Sequence, residues 1–161
     1  MIRISKLTDY ATVLLAALAR EPGRCFAAAA LAQQTQIGAA TVSKLLKQLQ
    51  RAGFVQSTRG LHGGYQLARP AEAISAAAIL DALEGPVAVT DCSAGQGQCC
   101  IETTCQVGHA WQRVNLSIRR SLRDISLAQL AGLDGSAAQR SLAADRETTV
   151  RFRPRGRVAA P

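Results

Sequence analysis

The chain has 161 residues, 48% of them apolar, and a formal net charge of +8. That is enough for one compact domain with an appendage, and no apolar run approaches the roughly 18 residues that a membrane helix needs. Met1 leads straight into an amphipathic pattern rather than a short basic segment and an unbroken apolar stretch, so no cleavable signal is expected. The expectation is a cytoplasmic protein with reduced thiols and no membrane partner. Five cysteines, an odd number, argue against a closed disulfide framework.

Charge divides the chain in three. Residues 1–70 carry nine Lys and Arg against two acids, a net of +7. Residues 71–112 have five acids and no Lys or Arg, and residues 113–161 have ten Arg against four acids. A basic first segment suits a polyanion, most simply nucleic acid.

Ile4, Leu7, Ala11, Leu14, Leu15 and Leu18 recur at helical spacing, which predicts an amphipathic helix over about 5–20, stopped by Glu21-Pro22-Gly23. A second, Ala-rich helix is expected at about 27–34, with Leu31 and Ala32 facing in. A turn through Gly38 leads to a third helix at about 40–52, ended by Gly53. Its inner face is Val42, Leu45, Leu46 and Leu49; its outer face shows Thr41, Ser43, Lys44, Lys47, Gln48 and Arg51.

Two extended runs follow, Phe54 to Thr58 and Tyr65 to Ala68, with Gly63 and Gly64 expected to take positive φ and reverse the chain. Ser75 can cap a short helix bearing Ile79, Leu80 and Leu83, which Gly85-Pro86 ends. A loop holding four cysteines comes next. A longer helix over about 105–124 then carries Trp111, Val114, Ile118, Leu122 and Ile125 at spacings of three and four. Ser126 and Gln129 form a capping-box pair for a last helix, 127–131. The Arg-rich end, "VRFRPRGRVAAP", has little to bury and reads as a disordered tail.

Helix, tight turn, polar-faced helix and hairpin make a winged helix-turn-helix. Ser, Thr, Lys and Gln on the third helix can reach base edges in a major groove, while Arg59 and His62 on the wing can meet phosphates or the minor groove. One such unit covers little DNA, so two half-sites and a homodimer are expected, with the 105–124 helix as the dimer element. No nucleophile–base constellation is present, and His62 and His109 are the only histidines, so no enzyme is expected.

The acidic middle holds Cys92, then Cys99 after six residues and Cys105 after five more, with Cys100 beside Cys99 and His109 four residues past Cys105. Three sulfurs with one exchangeable ligand can hold an iron–sulfur cluster or a zinc ion, and a metal-free thiol switch is the other reading. Gly95 and Gly97 let the backbone wrap closely. Cys25, next to Phe26, is expected to be a small buried hydrophobe.

"ISKLTDYA", "VSKLLKQLQRAGFVQSTRG", "GGYQLARP", "ALEGP" and the three-cysteine loop together resemble the winged-helix regulators of the IscR and NsrR type, over about residues 1–131. "CIETTCQVGHAWQRVNLSIRRSL" is most similar to the subgroup that regulates the SUF iron–sulfur assembly operon. The resemblance implies a 2Fe–2S cluster in most members, and 4Fe–4S in some, held here by Cys92, Cys99 and Cys105. It offers two fourth ligands, His109 or Asp9 of the partner subunit. His109 stands one residue further from its cysteine than in the IscR branch, and the first cysteine gap is one residue longer. The resemblance also implies that Ala40, Thr41, Ser43 and Lys44 read bases and that Arg59 lies near the minor groove. Residue 43 is Ser where the IscR branch has a Glu that tunes site choice.

The expected architecture is therefore mainly α with a small β-hairpin wing: a winged helix-turn-helix domain with the following short helix (1–86), a cysteine-rich cluster-binding loop (87–105), a dimerisation helix with a short terminal helix (105–131), and a basic tail (132–161). The expected function is a homodimeric, DNA-binding repressor that senses iron–sulfur status and controls cluster-assembly genes. A nitric oxide or redox sensor, and a metal-free or zinc thiol-switch DNA-binding protein, are the alternatives.

Overall fold

The computed structural model describes residues 3–60, 63–94 and 105–133. The chain builds α1 (Lys6–Ala19), α2 (Ala28–Thr35), α3 (Ala39–Arg51), β1 (Val55–Thr58), β2 (Gly64–Leu67), a 3-10 turn (Ala71–Ala73), α4 (Ala76–Leu83), α5 (Asp91–Ala94), α6 (Gly108–Asp124) and α7 (Leu127–Leu130). It is a mainly helical fold with a two-stranded antiparallel hairpin, a winged helix-turn-helix, as the periodicity predicts.

α1, α2 and α3 pack on one another. Their seam is Leu14, Leu15, Leu18, Leu31, Val42, Leu45, Leu46 and Leu49, each at most 2% exposed. Each of these leucines contributes about 2–5 kcal/mol over alanine, and the same core continues through Phe54, Val55, Ile74, Ile79 and Leu127. α3 stops where Gly53 takes φ 76°. The Phe54 N–H then returns to the Leu49 carbonyl at 3.0 Å.

β1 and β2 pair from Val55↔Leu67 to Thr58↔Gly64. Phe26 adds a short third edge: its N–H donates to the Tyr65 carbonyl and the Tyr65 N–H to its own, at 2.9 and 2.8 Å. This corrects the expectation for the glycines. The left-handed turn falls at Gly60, with φ 113°, while Gly64 at φ 159° is close to extended. Gly63 and Gly64 are needed for space: a Cβ on Gly63 would lie 2.2 Å from the Thr58 carbonyl oxygen, and one on Gly64 2.6 Å from that of Phe26. Strand alternation at this edge turns Phe26 inward and its neighbour outward, so Cys25 is only half-buried, not the core residue expected.

Two contacts over long sequence distances join the later helices to this unit. At the start of α1, Ser5 caps the helix, its hydroxyl accepting the Thr8 N–H at 3.2 Å. The Ser5 N–H donates in turn to Glu84, 79 residues away, at 2.7 Å. The Thr8 hydroxyl, the Ser5 N–H and the Ser5 hydroxyl together hold the Glu84 carboxyl below its ordinary value. At the far end of α6, the Ala76 N–H donates to the Ile125 carbonyl and the Leu127 N–H to that of Ile74, at 2.8 and 2.7 Å. Ser126 and Gln129 form the expected capping box, and α7 buries Leu127. The last helix ends at Leu130, with Ala131 as its C-cap.

Two boundaries in the acidic middle differ from expectation. Asp91–Ala94 is helical rather than loop, opened by Thr90, whose carbonyl accepts the Ser93 N–H at 2.9 Å. α6 begins at Gly108 rather than 105, because Val107 is its N-cap and offers no capping side chain. Among the described residues no helix is long and apolar enough to cross a membrane.

Candidate DNA-binding surface and cysteine segment

α3 is an amphipathic helix without an acidic residue. Burying Val42, Leu45, Leu46 and Leu49 turns Ala40, Lys44, Lys47 and Arg51 to solvent, with Thr41, Ser43 and Gln48 half-buried at the margin. All of the base-reading candidates thus lie on one outward face. Arg59 is exposed at the end of the wing, and His62 lies outside the described residues. The ion pairs formed among the described residues are Arg24–Glu21 and Arg119–Asp81, which leave Lys44, Lys47, Arg51 and Arg59 available to phosphates.

One contact in this surface was invisible in the residue pattern. Gln50, in the last turn of α3, donates its side-chain N–H to the Ser57 hydroxyl on β1 at 2.9 Å. It joins α3 to the wing across seven residues of sequence. At the wing's base the Arg69 guanidinium stacks over Phe54, 5.2 Å from the ring centre.

The cysteine segment is built at the other end of the chain's charge pattern. α5 carries Cys92 and packs against α6. Cys105 is a half-buried free thiol just before α6. Its sulfur folds back over the first turn, 3.7 Å from where a Gly108 Cβ would stand. His109 follows in that first turn and is exposed. The two ends of the segment are thereby brought to one helix, α6, while Cys99 and Cys100 lie outside the described residues. Among the described residues no three His, Cys, Asp or Glu side chains gather as a metal site. Asp9 is exposed on the first turn of α1, in a shallow cleft with Lys6 and Glu84.

α6 carries the expected apolar stripe, and most of it is uncovered. Trp111 and Val114 are each 44% exposed, Ile125 is 39%, and the single buried residue of the helix is Asn115. Ile118 and Leu122 meet Leu80, Ile4 and Val87 around an open groove of about 650 Å³.

A buried three-helix unit, an acid-free reading helix and a wing stapled to it define a winged-helix DNA-binding regulator. Comparison with known proteins agrees. The Rrf2 signature, described as that of an iron-dependent transcriptional regulator, matches residues 4–132. The chain belongs to the Rrf2 family, and it is a DNA-binding transcriptional regulator rather than an enzyme. The protein rrf2 of Nitratidesulfovibrio vulgaris is 34% identical over 100 residues, 62% of this chain and 67% of that one. CymR (YrzC), the global cysteine regulator of B. subtilis, is similar at 26% identity and a TM-score of 0.66, over 82% of this chain and 98% of its own. IscR of T. potens gives 26% identity and a TM-score of 0.64, over 86% and 91%. An oxidised form of Staphylococcus aureus CymR gives 30% and 0.61, over 81% and 96%.

Proposed function

We propose that this regulator works as a homodimer and senses iron–sulfur status through Cys92, Cys99 and Cys105, repressing genes for cluster assembly of the SUF type. The observation that carries the reading is that α5, which bears Cys92, packs against α6, the helix that Cys105 immediately precedes. The donor set fits: thiolates with an imidazole or carboxylate suit iron, and a half-buried, reduced Cys105 thiol beside an exposed His109 leaves a ligand position open to exchange. Cys92, Cys99 and Cys105 would hold a cluster, most simply 2Fe–2S, with His109 or Asp9 of the partner subunit as the fourth ligand. When bound, the cluster supplies an iron- and oxidant-sensitive crosslink between the two ends of the segment.

The chain's own part is mechanical. α6 is anchored at its C-terminal end by the Ile125 and Leu127 backbone bonds. Its other end lies about 24 Å away at 1.5 Å per residue. A change at Cys105 therefore acts on a long lever whose fulcrum is the DNA-binding unit. With Trp111 and Val114 covered by a second copy, the lever sets the separation of two reading helices, whose half-sites recur about every 34 Å. At each half-site Ala40, Thr41, Ser43 and Lys44 face the bases, with Lys47, Arg51, Arg59 and His62 toward the backbone and minor groove.

A second reading has a specific ground. The likeness to CymR, solved also in an oxidised form, favours a metal-free thiol switch on the same frame. A nitric oxide or redox sensor would use the same ligands, and a zinc site the same thiols. Anaerobic purification, with the visible spectrum and iron and acid-labile sulfide counts, separates these. The cluster reading expects a coloured wild type that bleaches in Cys92→Ala, Cys99→Ala and Cys105→Ala, with His109→Ala or Asp9→Ala altering the spectrum. A colourless protein that stays so after reconstitution leaves the thiol or zinc switch. Bleaching by near-stoichiometric nitric oxide selects the nitric oxide sensor.

A further inference from the structure

The wing is tied to the rest of the molecule from both edges, and at the same rung. Ser57 of β1 pairs with Tyr65 of β2. On the β2 edge, Tyr65 and Phe26 exchange backbone hydrogen bonds of 2.9 and 2.8 Å. On the β1 edge, the Ser57 hydroxyl accepts the Gln50 side-chain N–H at 2.9 Å. Beyond this rung the hairpin has one more pair, Thr58↔Gly64. The exposed Arg59 and the left-handed Gly60 follow.

The two ties differ in kind. The Phe26 tie is main chain on both sides, so most side chains would leave it intact. The Gln50 tie is side chain on both sides and depends on these two residues. Gln50 and Ser57 are both exposed, so their bond is no part of the core. Gln50 stands in the last turn of α3, three residues from Lys47 and one from Arg51, on the side that the helix turns to solvent.

From this we propose that Gln50 is a positioning residue for DNA recognition: through Ser57 it sets the angle of the wing to α3, and with it the place of Arg59 on the minor groove. The proposal rests on the assignment of Arg59 as a wing contact and is independent of the cysteine segment. A two-stranded hairpin is marginal alone, so its direction is fixed by whatever holds its edges. Ser57 is the last residue of β1 tied sideways to a helix, and Arg59 lies two residues on, about 6.6 Å along the strand. The groove that Arg59 must enter is about 6 Å wide. Over a strand of four residues, about 13 Å, a small tilt at the base carries the tip across much of that width. α3 in the major groove and Arg59 in the minor groove are therefore engaged together only at one angle between helix and hairpin.

The test uses the full chain and a duplex selected by wild type from genomic fragments. The variants are Gln50→Ala, Ser57→Ala, the two combined, Arg59→Ala, and Arg59→Ala with Gln50→Ala. Gln50→Ala and Ser57→Ala should each weaken binding about fivefold, the scale of one hydrogen bond, and the combination should weaken it no further. Arg59→Ala should cost about tenfold in wild type, as for one good base contact, and only about twofold beside Gln50→Ala, a coupling carried through Ser57. The slope of log affinity against log salt is the readout that a merely structural glutamine would not move. Gln50→Ala changes no charge, yet it should reduce that slope by about 0.9, the equivalent of one cation withdrawn from the DNA, as Arg59→Ala does. Melting temperatures should stay unchanged, because the bond is exposed. A loss in Gln50→Ala with Ser57→Ala silent, or losses that add, would overturn the proposal and make Gln50 a direct DNA contact. An equal cost of Arg59→Ala in both backgrounds would overturn it as well, leaving the wing contact in place. Arg59→Ala without effect in wild type would remove the wing contact itself, and the proposal with it.

Discussion

α3 and α6 are written in the same pattern and end in opposite surroundings. Both are strongly amphipathic, of 13 and 17 residues. α3 lays Val42, Leu45, Leu46 and Leu49 into the core at no more than 1% exposure; the longer α6 buries only Asn115. A periodic apolar stripe states that something must cover it. It does not state whether the cover is the chain's own core or another molecule. α3 is covered by the chain's own core, whereas most of the apolar stripe of α6 is left open.

The difference can be broken from the α3 side with the largest effect. Leu45→Ala should cost about 2–5 kcal/mol, enough to unfold the DNA-binding unit near physiological temperature, as seen by chemical denaturation. Trp111→Ala on α6 should leave the denaturation of the separated subunit nearly unchanged. It should raise the dimer dissociation constant by roughly tenfold or more, the effect of an aromatic anchor at an interface, as sedimentation at several concentrations would show. A monomeric wild type with the same DNA affinity would refute the second copy as the cover of α6.

The joint between the two regions sharpens the comparison at smaller cost. Arg119 of α6 donates to Asp81 of α4 at 2.9 Å. The Asp81 Oδ1 and Asn115 Oδ1 atoms are buried without a hydrogen-bond partner among the described residues. This contact is polar where the α1–α3 seam is aliphatic. Asp81→Asn should therefore lower stability by only about 1 kcal/mol, the scale of a partly exposed pair, with a larger proportional effect on DNA affinity than on melting. A loss equal to that of Leu45→Ala would make the joint part of the core.

The smallest effect is electrostatic. Hydrogen bonds from Thr8 and Ser5 hold the Glu84 carboxyl below its ordinary value of 4.5. A carboxyl depressed on folding stabilises the protein above that ordinary value. The contribution is lost as pH falls through the lower folded value. Glu84→Gln should lower stability slightly at neutral pH, flatten this acid limb of the stability curve and converge on wild type at low pH, as melting measured from neutral into the acidic range would show. An unaltered limb would mean that Glu84 does not hold the start of α1.

What was legible in the residues follows the same division. α1, α3 and α4 announced themselves by spacing, and Ser75 and Ser126 by capping chemistry, because these are local causes within a few residues. The Ser5–Glu84 bond, the Phe26–Tyr65 bridge and the Arg119–Asp81 pair join residues 79, 39 and 38 apart and leave no periodic mark. In the site, the outer face of α3 could be read because burial of its inner face fixes it. The cysteine segment could be read only as composition: spacing named the thiols, while the return of α5 to α6 is a tertiary contact. Thr90 ahead of Asp91 was the one local sign of α5, a hydroxyl before an acidic first turn.

The most direct measurement is DNA affinity of one preparation before and after the cysteine segment is stripped of iron, on a duplex selected from genomic fragments, with Cys105→Ala beside it. The expected result is a change of at least about fivefold, the lower range of a coupling free energy between two sites, and no change in Cys105→Ala. Identical affinities before and after stripping, at every salt concentration, would contradict a switch at the start of α6.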